Sequence, residues 1–561
     1  MKEQATLMKF IFTFLEKNKP QYISLILICF GIYSISLNYG FIWDDYTYII
    51  NNPILDQSSG LIKIWTTHAM PDFWPISYSL FWLQKQLFAN NSFGFHLVNL
   101  LLFTISTLLI LKLLIKLNLK SAYVLALIYA IHPMNVEAVA WIFQAKTNLA
   151  NVFGLSCFVF WVNFVQTSFF SKKYYFLTIL LLVLSFLSKI SLVLLPFLML
   201  IYIDYFKINM PLLKKIAVTI PFFLISFIVG LVNIYWDLNT YQVPSSEMIL
   251  DPNIFFRFSL VGYTYLFYII KTFLPWPLMF VHPKLNLDLN IYTTFLPSIL
   301  LTFFLIYIGY KVITRKKINL FQIGFLISFF ILLPVLGITE IYFMRFSFTA
   351  EHWLSIGMIG FLVGIVEFYY SNKLFKFLLT LFIISLSYIT FNYVQEYSSQ
   401  KTIMKFSLNK NENNFLSHNI LGLIYKHENN PNEAIEHFQK SIKIHPNAQA
   451  YFNMASIQES LNQVDFAEYN YLKAIELNPY MPISYFNIGS LYARLNNNKL
   501  AMDYFQKALN RNPYDSDIYY NIGFMHELAN QKKEALIWYI KADKLKPNNE
   551  LYLKAIQRQS F

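Results

Sequence analysis

Apolar runs of membrane-spanning length recur from Tyr22 to about Val394, separated by short polar breaks. A helix that crosses a bilayer needs about 20 mostly apolar residues. The runs near 21–38, 95–117, 121–135, 148–168, 174–188, 190–206, 214–235, 292–312, 320–340, 352–370 and 374–394 meet or approach that length, which predicts about eleven crossings. The fifth and sixth are short, with only the Lys189 region between them. A further run, 255–273, carries Arg257 and Lys271 and stops at Pro275-Trp-Pro277; it is read as re-entrant or surface-lying.

Beyond about Tyr397 the pattern changes. Residues 411–547 are rich in Asn, Lys, Glu and Tyr and repeat with a period near 34. Gly422, Ala455, Gly489 and Gly523 are equivalent; Ala434, Ala467, Ala501 and Ala535 follow them, then Ser441, Ala474, Ala508 and Ala542, then Pro446, Pro479, Pro513 and Pro547. Small residues at those offsets let two helices of one unit approach closely, and Pro ends the second helix. The spacing matches tetratricopeptide repeats, with one shorter connection between the first two units. The predicted fold is all-α: a polytopic membrane helical bundle over 1–397, then a repeat α-solenoid over 411–561 with four or more units.

Charge orients the membrane half. Lys2, Lys9, Lys17 and Lys19 precede the first run and place the N-terminus in the cytoplasm. Lys112/Lys116/Lys120, Lys172/Lys173, Lys207/Lys214/Lys215, Arg315/Lys316/Lys317 and Lys373/Lys376 fall at alternate turns if 255–273 does not cross, and the repeats then lie outside. If 255–273 does cross, the later orientation inverts. The basic start and first apolar run resemble a signal peptide, but bulky Asn38-Tyr-Gly-Phe-Ile-Trp43 follows in place of a small-residue cleavage site, so the run is read as an uncleaved crossing.

The 561 residues are 56% hydrophobic and 13% charged, with a formal net charge of +13. A soluble domain carries about 25% charged residues, so this balance belongs in a bilayer. The cations end apolar runs and do not interleave with aromatics, which argues against nucleic-acid binding. Cys29 and Cys157 lie inside apolar runs and make neither a disulfide framework nor a zinc site. No Gly-rich phosphate loop and no metalloprotease-type His pair is present.

Four segments carry candidate chemistry. Trp43-Asp44-Asp45-Tyr46 follows the first crossing, and a carboxylate among interfacial aromatics can act as a general base, though acidic residues also simply solvate loops. His132-Pro133…Glu137…Trp141 with Gln144-Ala-Lys146 sits at the outer end of the third run; its polar groups either pair to fix helix packing or serve a site. Lys189 between apolar stretches either meets an anion such as a lipid phosphate or snorkels to the interface. Glu351-His352-Trp353, with Arg345 before it, falls on the same outer side or is an ordinary loop.

The order Trp43-Asp44-Asp45…Asn51-Asn-Pro53, Pro75-Ile-Ser-Tyr78…Gly94-Phe-His96-Leu-Val-Asn99, His132-Pro133…Glu137, Ser188-Lys189, Leu195-Pro196…Asp204-Tyr205, Pro275-Trp-Pro277 and Glu351-His352-Trp353…Gly357 resembles the transmembrane and tetratricopeptide-repeat O-mannosyltransferase family and its bacterial relatives. The resemblance covers nearly the whole chain. It implies a GT-C type membrane glycosyltransferase that takes a sugar from a polyprenyl-phosphate carrier and gives it to an extracytoplasmic protein. It implies Asp44 or Asp45 as catalytic carboxylate and Lys189 and Arg257 as holders of the carrier phosphate. His96, His132, Glu137, Lys146, Glu351 and His352 then shape the substrate site. The chain departs from the family at Gln144-Ala-Lys146, where Arg-Ala-Asp or Glu-Arg-Lys is usual, and at Glu351-His352-Trp353, where the family has Asp-Arg-Tyr.

The expected donor is a polyprenyl-phosphate-linked sugar, mannose or another hexose; metal dependence is left open. Expected partners are membrane lipid, the carrier, and an acceptor or partner protein held by the repeats through Asn453, Asn487 and Asn521, while Tyr451, Tyr485 and Tyr519 recur as core. The single short array and the Asn/Lys/Ile/Phe-rich usage point to a bacterial inner membrane with the repeats outside; the alternative is an endoplasmic reticulum membrane with lumenal repeats. A non-catalytic membrane-anchored scaffold is the rival function. A transporter would instead line a path with charges at mid-depth.

Overall fold

The computed structural model describes residues 2–67, 70–167, 171–205, 211–240, 253–284, 295–314 and 316–560, with side chains described from Asn18 onward except at 205, 212, 237–240 and 342. Of the orienting cations, Lys207, Arg315 and the side chains of Lys2, Lys9 and Lys17 lie outside that set, as do the end of the 190–206 run and the start of the 292–312 run. Among the described residues every regular element is helical. The chain divides into two compact units, the first reaching Phe406 and the second beginning its main run at Ser407.

Seven described helices in the first unit are long and apolar enough to cross a membrane, or eight if the bent pair Ala122–Ile131 and Pro133–Ala140 is one span. Three shorter apolar helices, Ile190–Asp204, Leu320–Val335 and Gly357–Tyr369, accompany them. The chain is a membrane protein, but eleven full-length crossings is more than these helices show. Ile254–Phe273, expected not to cross, passes the same test. Its two cations sit toward its ends, where long side chains reach polar partners without entering the apolar middle: Arg257 meets Glu340 at 3.4 Å and Lys271 donates to the Pro277 carbonyl at 2.6 Å.

The bent pair follows from Pro133, which cannot donate to the Tyr129 carbonyl and forces a 57° change of direction. Carbonyls released by such a break must find donors, because the bilayer interior supplies none. The Asn135 amide donates to Tyr129 O at 2.8 Å, the Tyr33 hydroxyl to Ala130 O at 3.2 Å, and the Thr390 hydroxyl to Ile131 O at 2.5 Å. Each bond prevents a loss of about 1–3 kcal/mol.

In the second unit the helix pairs Phe415–His427/Pro431–Ile444, Ala448–Ser460/Val464–Leu477, Pro482–Arg494/Asn498–Arg511 and Ser516–Leu528/Lys532–Leu545 repeat, closed by Glu550–Ser560. A Cβ at Gly489 would stand 2.9 Å from the Phe505 ring, so a larger residue there would push that ring aside. Phe438, Phe505 and Tyr539 are fully buried at equivalent places, each contributing about 2–3 kcal/mol. The turn inside each unit uses a residue with left-handed backbone: Asn429, Asn462, Asn496 and Asn530 have φ between 56° and 59°. Asn tolerates that region better than other side chains. Of the recurring tyrosines, Tyr485 is buried while Tyr451 and Tyr519 are half-buried.

Candidate functional site

The two adjacent aspartates take different environments because Trp43, just before them, has a positive φ of 44°. That backbone costs about 1–3 kcal/mol and is held by packing: Trp43 stacks on Trp141 with ring centroids 5.4 Å apart and meets Phe280 and Phe346 edge-on at 5.4 and 5.5 Å. Asp45 is fully buried and accepts backbone N–H bonds from Ile42 at 2.9 Å and Phe143 at 2.8 Å. It ties the first interfacial turn to the segment after Trp141. Asp44 is partly exposed and takes no hydrogen bond from any described residue; the charges it feels are Lys146 and Asp72. Burial pushes the Asp44 carboxyl up to about 7, against the pull of Lys146. Burial likewise pushes Asp45 up to about 8, against its two N–H donors.

Two lysines join this group: Lys146 acts on Asp44, and Lys189 neighbours Lys146. Lys146 is 7% exposed, its ammonium 3.4 Å from the Phe143 ring centroid and 4.8 Å from that of Trp74. Lys189 ends the helix Lys172–Ser188 in extended backbone (φ −166°), and its Nζ donates to Thr147 Oγ1 at 2.8 Å. Thr147 in turn donates to Gln144 Oε1 at 2.7 Å. Burial first and the neighbouring Lys146 second push Lys189 down to about 7. Asp72 completes this group: it is felt by Asp44, Lys146 and Lys189, and the Tyr78 hydroxyl approaches it at 3.5 Å.

Glu137 is fully buried and holds His352 twice, accepting its backbone N–H at 3.0 Å and facing its Nδ1 at 3.0 Å. Glu351 accepts from the Met279 N–H at 2.8 Å and lies 3.4 Å from His282 Nε2. The Lys189 charge reaches both Glu137 and His352. Asn99 clamps the turn from below: its amide donates to the carbonyls of Ala138, Val139 and Trp141 at 3.1, 2.8 and 3.2 Å, and its oxygen accepts from Asn148 at 2.7 Å.

The structure thus brings Asp44, Asp45, Lys146, Lys189, Glu137, Glu351 and His352 into one neighbourhood and leaves other expected residues elsewhere. His132 spends both ring nitrogens on structure, with Nε2 at 3.1 Å from Thr272 O and Nδ1 accepting from the Met134 N–H at 3.3 Å. These contacts tie the bend to the Ile254–Phe273 helix. Arg257 donates to Ile338 O at 3.3 Å and to Glu340 at 3.4 Å. His96 lies edge-on to Tyr39 at 6.5 Å within the span Ser92–Lys116. In the repeats, Asn453, Asn487 and Asn521 occupy one position on the first helices of three successive units; Asn453 is buried, while Asn487 and Asn521 donate to Tyr471 Oη and Asp517 O at 3.4 and 2.8 Å. Asp72, Trp74 and His282 are site residues that the sequence reading missed. Asp72 carried a usable signal, since Pro71-Asp72-Phe73-Trp74 sets a carboxylate among aromatics as Trp43-Asp44 does.

Residues 448–480, 483–515 and 516–549 match the tetratricopeptide-repeat family, and residues 415–448 match a second form of the same repeat. These are tetratricopeptide repeats. The chain is 30% identical over 171 residues to a protein O-mannosyl-transferase of Caenorhabditis elegans, covering 26% of this chain and 24% of that protein. It is 33% identical over 149 residues to the mouse protein O-mannosyl-transferase TMTC1, covering 24% and 15%, and 27% identical over 139 residues to human TMTC3, covering 22% and 15%. Its curated homologues are TMTC-type protein O-mannosyl-transferases, and the matches span about a quarter or less of their length. Among solved structures, MamA aligns with a TM-score of 0.25 and 24% identity over 26% of this chain and 86% of that one. YrrB, described as a tetratricopeptide-repeat protein with an unusual peptide-binding site, aligns with a TM-score of 0.26 and 19% identity over 34% and 95%.

Proposed function

We propose that this chain is a membrane glycosyltransferase that moves a sugar, mannose or another hexose, from a polyprenyl-phosphate carrier to a hydroxyl of an extracytoplasmic protein. The repeats engage that acceptor or a partner protein, with Asn453, Asn487 and Asn521 as polar contacts. The observation that carries this reading is Asp44, a carboxylate without a hydrogen bond from any described residue, set near the buried cation Lys146 at the end of the first span, with Lys189 next to Lys146 in the same charged group. The likeness to O-mannosyl-transferases supports it. So does an apolar cleft in the first unit walled by Leu155, Leu192, Leu195, Ile327, Ile331 and Ile359, whose chemistry suits an isoprenoid tail.

In this mechanism Asp44 takes the proton of the acceptor hydroxyl as its oxygen attacks the anomeric carbon. The bond from that carbon to the phosphate oxygen breaks, its electron pair stays on the carrier phosphate, and a neighbouring cation stabilises the added charge. Asp45, with two backbone donors, keeps the turn in place; Glu137 and Asn99 do the same for the facing segment.

The test is mass spectrometry of exported proteins from cells lacking this gene, complemented with the wild type or with Asp44→Asn at equal membrane levels. Hexose adducts that return with the wild type and not with Asp44→Asn are expected. Equal complementation by both would favour a scaffold over an enzyme.

A further inference from the structure

The two lysines of the charged group are not equivalent. Lys189 commits its ammonium to Thr147 Oγ1 at 2.8 Å, and Thr147 passes its own proton to Gln144 at 2.7 Å, so this cation is one end of an internal hydrogen-bond chain. Lys146 is more deeply buried, yet it donates no hydrogen bond to any described residue and has no described carboxylate within ion-pair distance. Its charge is met by ring faces, Phe143 at 3.4 Å and Trp74 at 4.8 Å, and by the more distant carboxylates of Asp72, Asp44 and Asp45. Ring faces stabilise an ammonium without supplying lone pairs, so its three N–H donors keep their capacity. A buried cation with unused donors beside a carboxylate with no described donor is suited to hold an anion while the carboxylate handles the neutral partner.

We propose that Lys146 is the residue that grips the carrier phosphate, with Trp74 and Phe143 as its platform and Asp72 as a positioning carboxylate, while Lys189 orients Thr147. The assignment rests on the glycosyltransferase reading of this site. It gives separate roles to two cations that a sequence cannot tell apart, and it adds Trp74, Phe143 and Asp72 to the site. The phosphate is the recognised chemistry, and it can arrive on a lipid tail or as a free ion.

The experiment measures binding of undecaprenyl monophosphate, undecaprenol and inorganic phosphate to the purified full chain in nanodiscs. The wild type is expected to prefer undecaprenyl monophosphate to undecaprenol. Lys146→Met is expected to weaken undecaprenyl monophosphate binding about tenfold or more, equivalent to about 1.4 kcal/mol, with undecaprenol binding unchanged. Lys189→Met is expected to weaken it less than Lys146→Met, and Phe143→Leu to weaken it while keeping both cations. Competition by inorganic phosphate that disappears in Lys146→Met supports the assignment with the phosphate alone as determinant. Phosphate-lipid binding that survives Lys146→Met but falls in Lys189→Met overturns the assignment and leaves the glycosyltransferase reading standing. A wild type that does not distinguish undecaprenyl monophosphate from undecaprenol overturns both. If Lys146→Met does not fold, Lys146→Arg and Phe143→Leu decide, because full-strength binding in Phe143→Leu contradicts the platform.

Discussion

Replacing the two neighbouring aspartates one at a time separates scaffolding from chemistry. Asp45 accepts N–H bonds on both oxygens, from Phe143 on one and Ile42 on the other. Asn in its place keeps one acceptor and turns an NH2 toward the other donor, so one bond is lost and one buried N–H is stranded. At about 0.5–1.5 kcal/mol for a hydrogen bond to a neutral group and about 1–3 kcal/mol for the stranded donor, Asp45→Asn is expected to cost roughly 2–4 kcal/mol. Asp44→Asn removes no described hydrogen bond. The Asp44 carboxyl is raised from 3.8 to about 7, so the folded state holds a proton that the unfolded chain releases near pH 4. Above pH 7 the fold must carry the ionised carboxylate in a site that disfavours it, and stability falls as pH rises from about 4 to about 7. Asp44→Asn is therefore expected to raise the unfolding midpoint most at pH 8, less at pH 5 and not at pH 3, the full difference being on the order of 1–3 kcal/mol once its partial exposure is allowed for. Intrinsic tryptophan fluorescence during heating in detergent micelles measures both variants. A parallel assay follows hexose transfer from a polyprenyl-phosphate donor to a peptide, where loss of a general base is worth about 10²–10⁴-fold. Destabilisation of Asp44→Asn to the degree of Asp45→Asn, or transfer by Asp44→Asn within threefold of wild type, refutes the division of roles.

Transfer by the wild type should rise as pH passes through about 7, where Asp44 ionises; kcat/KM between pH 5 and 9 measures this, and a flat profile counts against Asp44 as base. Asn99→Leu leaves the Val139 carbonyl without a described donor, while Ala138 O keeps the Asn148 amide and Trp141 O keeps the Gln144 N–H, so it should lower stability by about 1–3 kcal/mol, read as a lower melting midpoint. Gly489→Leu should force Phe505 away from the Pro482–Arg494 helix at a cost of about 1–3 kcal/mol, seen as faster proteolysis within 482–511 of the full chain.

The repeat half was readable because its determinants are local. A small residue, a second one twelve places on and a closing Pro each act within one helix pair, so their spacing carries the fold directly. The membrane half was readable as helical and membrane-spanning but not in crossing number. Its chain mixes full spans with shorter apolar helices such as Gly357–Tyr369, and run length does not separate a short core helix from a crossing. For Ile254–Phe273 the sequence left both readings open, because its two charges argue against a crossing only if they fall in the middle of the helix and not toward its ends. In the site, the aspartate pair and the Glu137 and His352 segments were visible as polar residues in apolar surroundings. The different environments of Asp44 and Asp45 were not, since they depend on the Trp43 backbone, whose positive φ is held by rings from three distant segments. The placement of His132 and Arg257 depends likewise on partners far along the chain, Thr272 and Glu340.

The partner of the Ile131 carbonyl lies 259 residues downstream, on the last long apolar helix of the membrane half. Until the ribosome has delivered Thr390 and the insertion machinery has seated its helix, that oxygen faces lipid without a donor. The bend that carries Glu137 is completed only at the end of the bundle's biogenesis, so a nascent chain stopped before that helix would hold an unfinished site. Chain termination anywhere before Thr390 is thereby expected to cost function, even where Asp44, Lys146 and His352 have all been synthesised.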